Sequence, residues 1–120
     1  MKPAKKSRKK DGTALEKKVK LYDELIAKCP QFERKGKTML YTSANGHMFS
    51  LLNKDGELGI RFSKEVQEKY FKKLKTTHYQ SYGAIMNGYI LIPESMWKDL
   101  DKLVKLMNES YDYVMSLESK

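Results

Sequence analysis

Two dipeptides, Asn45-Gly46 and Asp55-Gly56, constrain this chain more than any other feature in it. Each favours the positive backbone angles of a tight hairpin turn, and together they separate runs near 38–44, 47–54 and 57–62. The spacing predicts a three-stranded antiparallel meander. Two-residue loops would set its register, with Ala44 opposite His47, Thr42 opposite Phe49 and Leu40 opposite Leu51, then Leu51 opposite Ile60 and Phe49 opposite Phe62. The pleat sorts these residues into two faces. Leu40, Phe49, Leu51, Leu58, Ile60 and Phe62 make an apolar side that should pack on helices. Met39, Tyr41, Ser43, Met48, Ser50, Leu52, Glu57 and Arg61 make a mixed one.

The flanks change period from two to three and four. Thr13-Ala-Leu-Glu16 reads as a capping box. After it, Leu15, Val19, Tyr22, Ile26 and Cys29 form one apolar helical stripe that Pro30 stops. Ser63 can cap a second helix over 64–75, with Val66, Tyr70, Phe71 and Leu74 on its apolar face. Residues 76–82 and 88–92 read as two further strands joined through 83–88. Pro93-Glu94 then opens a last helix, in which Met96, Leu100, Leu103, Val104, Met107, Tyr111 and Val114 keep helical spacing. The order is α-β-β-β-α-β-β-α. Such an order predicts an α+β domain of two layers, with helices on one face of a mainly antiparallel five-stranded sheet.

Charge is uneven along the chain. The sequence holds 24 Lys and Arg against 15 Asp and Glu, a net charge of +9. Lys2, Lys5, Lys6, Arg8, Lys9 and Lys10 account for most of that excess. A block this dense in like charge has too little apolar surface to offset its ordering entropy, so residues 1–12 are expected to be a disordered basic tail and 13–120 the folded domain. The tail lacks the apolar region a secretory signal needs. The single cysteine, Cys29, rules out an intrachain disulfide and fits a reducing, cytoplasmic setting. No apolar run approaches the length of a membrane span.

Motifs that carry chemistry are few. Arg34-Lys-Gly-Lys-Thr38 resembles the end of a phosphate-binding loop, but the required glycine is replaced by Gln31 and a strand follows instead of a helix. His47 and His78 have no second His or Cys at ligand spacing, so no metal or other cofactor is expected. Ser43 or Ser50 beside His47 would need an acidic orienter and an oxyanion pocket, and neither is marked. The chain reads as a non-enzyme. The mixed sheet face is the better candidate, because Tyr41, Met48 and Arg61 combine the residue types favoured at protein interfaces, with Asn45 and His47 at its hairpin end. A protein partner is expected there, with the chain itself a monomer or weak homodimer. The alternative is non-specific nucleic-acid association through Lys2, Lys5, Lys6, Arg8, Lys9 and Lys10, by release of counterions from phosphates.

Several segments carry a family resemblance in their order and spacing. They are Gly36-Lys-Thr-Met-Leu-Tyr-Thr-Ser43, Asn45-Gly-His-Met-Phe49, Gly59-Ile-Arg-Phe62, Tyr82-Gly-Ala-Ile-Met86, Tyr89-Ile-Leu-Ile-Pro-Glu94 and Ser110-Tyr-Asp-Tyr-Val-Met-Ser-Leu117. Over about 14–118 the chain resembles the N-terminal domain of the TfoX competence regulators, above all its small single-domain relatives. The resemblance implies the α+β element order given above and an association with bacterial transcription or competence regulation. It implies no catalysis and supplies no ligand residues.

Overall fold

The computed structural model describes residues 3–37, 39–81 and 83–119, with side chains from Leu15 onward. Its elements are α1 (Pro3–Ala27), β1 (Leu40–Ala44), β2 (His47–Leu52), β3 (Leu58–Arg61), α2 (Lys64–Lys73), β4 (His78–Ser81), β5 (Ala84–Leu91), a 3-10 turn (Glu94–Lys98) and α3 (Leu100–Met115). The five strands form one antiparallel sheet in the order β1-β2-β3-β5-β4. The fold is therefore α+β with the expected element order. No helix among the described residues is long and apolar enough to cross a membrane.

Helix α1 starts at Pro3, so no backbone break marks the boundary expected near 11–13. Proline suits a first helical position, and the Ala and Lys that follow are good helix formers. The Thr13 side chain lies outside the described ones, as do Lys2 and the side chains of Lys5, Lys6, Arg8, Lys9 and Lys10. At the other end Cys29 N donates to Ile26 O at 2.8 Å, tightening the last turn ahead of Pro30. Tyr22, Leu25, Ile26 and Cys29 are buried there, and burial pushes the Cys29 thiol up, away from the reactive thiolate.

The Asn45-Gly46 turn forms as read, with Asn45 at φ 56° and Ala44 paired with His47. Beyond it the expected register fails. Thr42 pairs with Ser50 and Leu40 with Leu52, because a bulge leaves Phe49 as an extra residue on β2, and Ser50 pairs with Ile60 and Leu51 with Gly59, because the β2–β3 loop spans residues 53–57. The bulge lets both Phe49 and Ser50 face the helices. Phe49 meets Phe32 edge-on at 4.9 Å, while Ser50 Oγ lies 2.7 Å from Tyr22 Oη and 2.6 Å from Thr42 Oγ1. Leu51 and Leu52 thereby exchange the faces assigned from alternation. The Asp55-Gly56 loop is also longer than two residues. Asn53 organises it, accepting on Oδ1 from Asp55 N at 3.0 Å and Glu57 N at 2.9 Å.

Ser63 caps α2 as expected, accepting from Val66 N at 3.3 Å. Two later boundaries differ. Residues 84–87, expected in a loop, belong to β5, because Gly83 at φ 75° turns the chain at once into the Ser81–Ala84 pair. The final helix is broken into the 3-10 turn and α3, since the Asp99 side chain accepts from Lys102 N at 3.3 Å and starts a new helix. The main core joins α1, α2, the 3-10 turn and α3 to Leu40, Phe49, Leu52, Leu58, Ile60, Phe62, Ile90 and Ile92 of the sheet and its ends. A second cluster contains no helix residue among those whose side chains are described.

Candidate functional site

That second cluster consists of buried Leu51, Tyr79 and Tyr89 with partly buried Met39, Tyr41, Met48, Met86 and Leu91 around them. Two tyrosines seal the middle of this face. The Tyr79 ring sits over Gly59, where an added Cβ would come within 2.3 Å of it. Its hydroxyl donates to Leu51 O at 2.9 Å and Glu57 O at 3.0 Å, and the Tyr89 hydroxyl donates to Met48 O at 2.8 Å. The two rings stack at 6.1 Å. Burial pushes both phenols up, with the Arg61 charge partly offsetting this at Tyr89. With both hydroxyls engaged by backbone carbonyls, the partly buried residues packed on the cluster are thioether, aliphatic and aromatic, and Arg61 pairs beside Tyr89. Met side chains adapt to varied partner shapes, which suits such a surface to protein contact.

The five residues singled out from sequence fall into three groups. Tyr41 and Met48 lie in the second cluster. Tyr41 is also held by backbone pairing with Lys35, which covers part of the β1 edge. Asn45 and His47 instead close the fold. Asn45 Nδ2 donates to Val114 O at 2.9 Å, which also accepts from Leu117 N, and to Leu117 O at 2.8 Å, tying the hairpin to the end of α3. His47 Nε2 lies 2.8 Å from Glu118 O, a bond that requires the proton on Nε2. Arg61 forms the third group. Its guanidinium carbon lies 5.7 Å from the centre of the Tyr113 ring, at the sheet end where α3 finishes.

Sequence reasoning missed Tyr79, Tyr89 and Met86. A signal for the first was present: a glycine inside a strand, Gly59, marks a close approach by another group. The basic candidates of the N-terminal segment cannot be placed as side chains, and Lys2 lies outside the described residues. Among the described residues no three His, Cys, Asp or Glu side chains gather where they could hold a metal ion. No protein-family model matches the chain. No curated protein matches it either.

Proposed function

We propose that this chain is a non-enzymatic regulatory or protein-interaction module, related to the TfoX N-terminal domain it resembles, and that it meets a protein partner through the second face of its sheet. One observation carries the reading: Met39, Tyr41, Met48, Met86 and Leu91 are only partly buried, around a cluster to which no helix side chain among the described residues contributes. Exposed apolar patches of this kind mark interaction sites more often than they persist unpaired. Tyr41 and Met48 are the contact residues of this reading. Asn45 and His47 support the hairpin that presents them.

The test is affinity capture from the native cell with the full chain and with Met48→Asp. A partner that binds the full chain and is lost with Met48→Asp, while the variant keeps its circular dichroism spectrum, supports the reading. Identical captured sets would overturn it. The alternative, nucleic-acid association through the N-terminal lysines, rests on six basic residues within 2–10. It predicts duplex binding that falls steeply with salt and disappears on deletion of residues 1–10.

A further inference from the structure

Arg61 is half-buried and, among the described residues, forms no ion pair. Among the described residues, ion pairs join Lys18 to Glu94 and Arg34 to Asp23, and none reaches Arg61. Guanidinium stays charged at any physiological pH, so partial burial without an anion leaves its strongest interaction unused. Its stem lies across Gly88, where an added Cβ would come within 3.4 Å of Arg61 Cγ. The side chain borders a cleft of about 380 Å³ that Lys64, Asn87 and Tyr113 also line. The Asn87 amide and the Tyr113 hydroxyl make no side-chain hydrogen bond to the described residues, and the lining residues include no Asp or Glu. Gln67, at the base, is already engaged, donating to Tyr89 O at 3.0 Å.

From this arrangement we infer that the cleft is an oxyanion site whose ligand is a small phosphate monoester or free phosphate. Two cations and two neutral donors around one cavity exceed what a carboxylate can use, whereas a tetrahedral dianion with three or four acceptor oxygens can engage them all. Arginine supplies the fork, lysine a mobile second charge. The remaining volume lies within the range of small-molecule sites and leaves room for an organic group on the phosphate. The inference does not rest on the protein-partner reading, which concerns Tyr41 and Met48, although Arg61 pairs across the strands with Tyr89 of that face.

Titration of the ¹⁵N-labelled full chain with inorganic phosphate and with phenyl phosphate, at ionic strength fixed with chloride, tests it. Saturable amide shifts centred on Arg61, Lys64, Asn87 and Gly88 are expected, with acetate giving none that saturate. Arg61→Gln should weaken phosphate by roughly tenfold or more, the scale of one charge-assisted hydrogen bond. Lys64→Gln and Asn87→Ala, at exposed positions, should each weaken it severalfold without altering the fold, and they carry the test where Arg61→Gln disturbs packing. Shifts confined to the N-terminal lysines would overturn the assignment. So would equal saturation by acetate, saturation by an acidic peptide but not by phosphate, or unchanged affinity in Lys64→Gln and Asn87→Ala.

Discussion

Gly59→Ala is the substitution on which the two-faced sheet depends most directly. The new methyl would lie 2.3 Å from Tyr79 Cδ2 and 2.4 Å from Cγ, inside the ring's van der Waals envelope. Tyr79 is fully buried and anchored at its hydroxyl by two carbonyls, so it cannot swing aside cheaply. Overpacking costs about 1–3 kcal/mol, and a displaced phenol forfeits roughly 1 kcal/mol more per hydrogen bond, giving about 2–5 kcal/mol in all. The diagnostic is the same change made in a Tyr79→Ala background. There the conflict is gone, and alanine should stabilise the strand by about 0.5–1 kcal/mol over glycine. Urea denaturation of wild type, both single variants and the double variant closes the cycle. Additive effects, or a cost below about 0.5 kcal/mol for Gly59→Ala alone, would refute the claim that the Tyr79 ring occupies that space.

Three further outcomes follow from the same contacts. Asn45→Gly keeps the positive φ but removes two hydrogen bonds to the end of α3, so it should cost about 1–3 kcal/mol, and Asn45→Ala about 1 kcal/mol more for backbone strain; chemical denaturation of both checks the split. Phe49→Ala should cost roughly 3–5 kcal/mol by leaving a core cavity, whereas Tyr41→Ala should cost no more than about 1 kcal/mol, as thermal melts of the pair would show. The buried phenols set an alkaline limit. Tyr22, Tyr79 and Tyr89 are pushed up by burial, and Tyr70 is pushed up to about 12 by burial and by Glu109, so the unfolded chain releases these protons first, near pH 10. Their contribution is complete below that pH and declines as pH rises toward 12, so the melting temperature should fall steeply from about pH 10 and barely change between pH 7 and 9.

The first hairpin, the cap of α2 and the apolar stripes of the helices were legible because their signals are local, whereas the start of α1 and the break before α3 were not. Asn45-Gly46 needs only its own backbone to turn, Ser63 caps its own helix, and Tyr22, Ile26 and Cys29 follow the period of α1. The second face was not. It depends on whether Ser50 or Leu51 points to the helices, and the run Met48-Phe-Ser-Leu-Leu52 is nearly all apolar, so alternation cannot choose. The choice is made by tertiary contacts. Tyr22 on α1 brings a hydroxyl to the sheet, and Ser50 and Thr42 are the small hydroxyl residues that can receive it. Satisfying that buried phenol requires Ser50 to face inward, and the bulge at Phe49 is how the strand accommodates it. The extent of β5 was hidden for a related reason: a glycine-flanked stretch reads as a loop until β4 pairs with it.

Sealing a sheet face with tyrosines has a consequence for how the two surfaces respond to solvent. Tyr79 and Tyr89 turn their hydroxyls onto the backbone of the sheet and of the Asn53–Glu57 loop, which leaves few polar groups for a visitor on the Met48 face to engage. Any affinity gained there must come from apolar contact, and apolar contact is insensitive to moderate salt and strengthened by sulfate. The Arg61 cleft is the opposite case. Its attraction is between charges near the surface, so it should weaken as chloride is raised toward 0.5 M and the screening length shrinks to a few ångströms. Binding on the two surfaces can therefore be separated by ionic strength alone, before any residue is changed. A partner that stays bound at high salt while phosphate is released would place the two on different surfaces, and loss of both together would mean that the protein contact itself runs through Arg61.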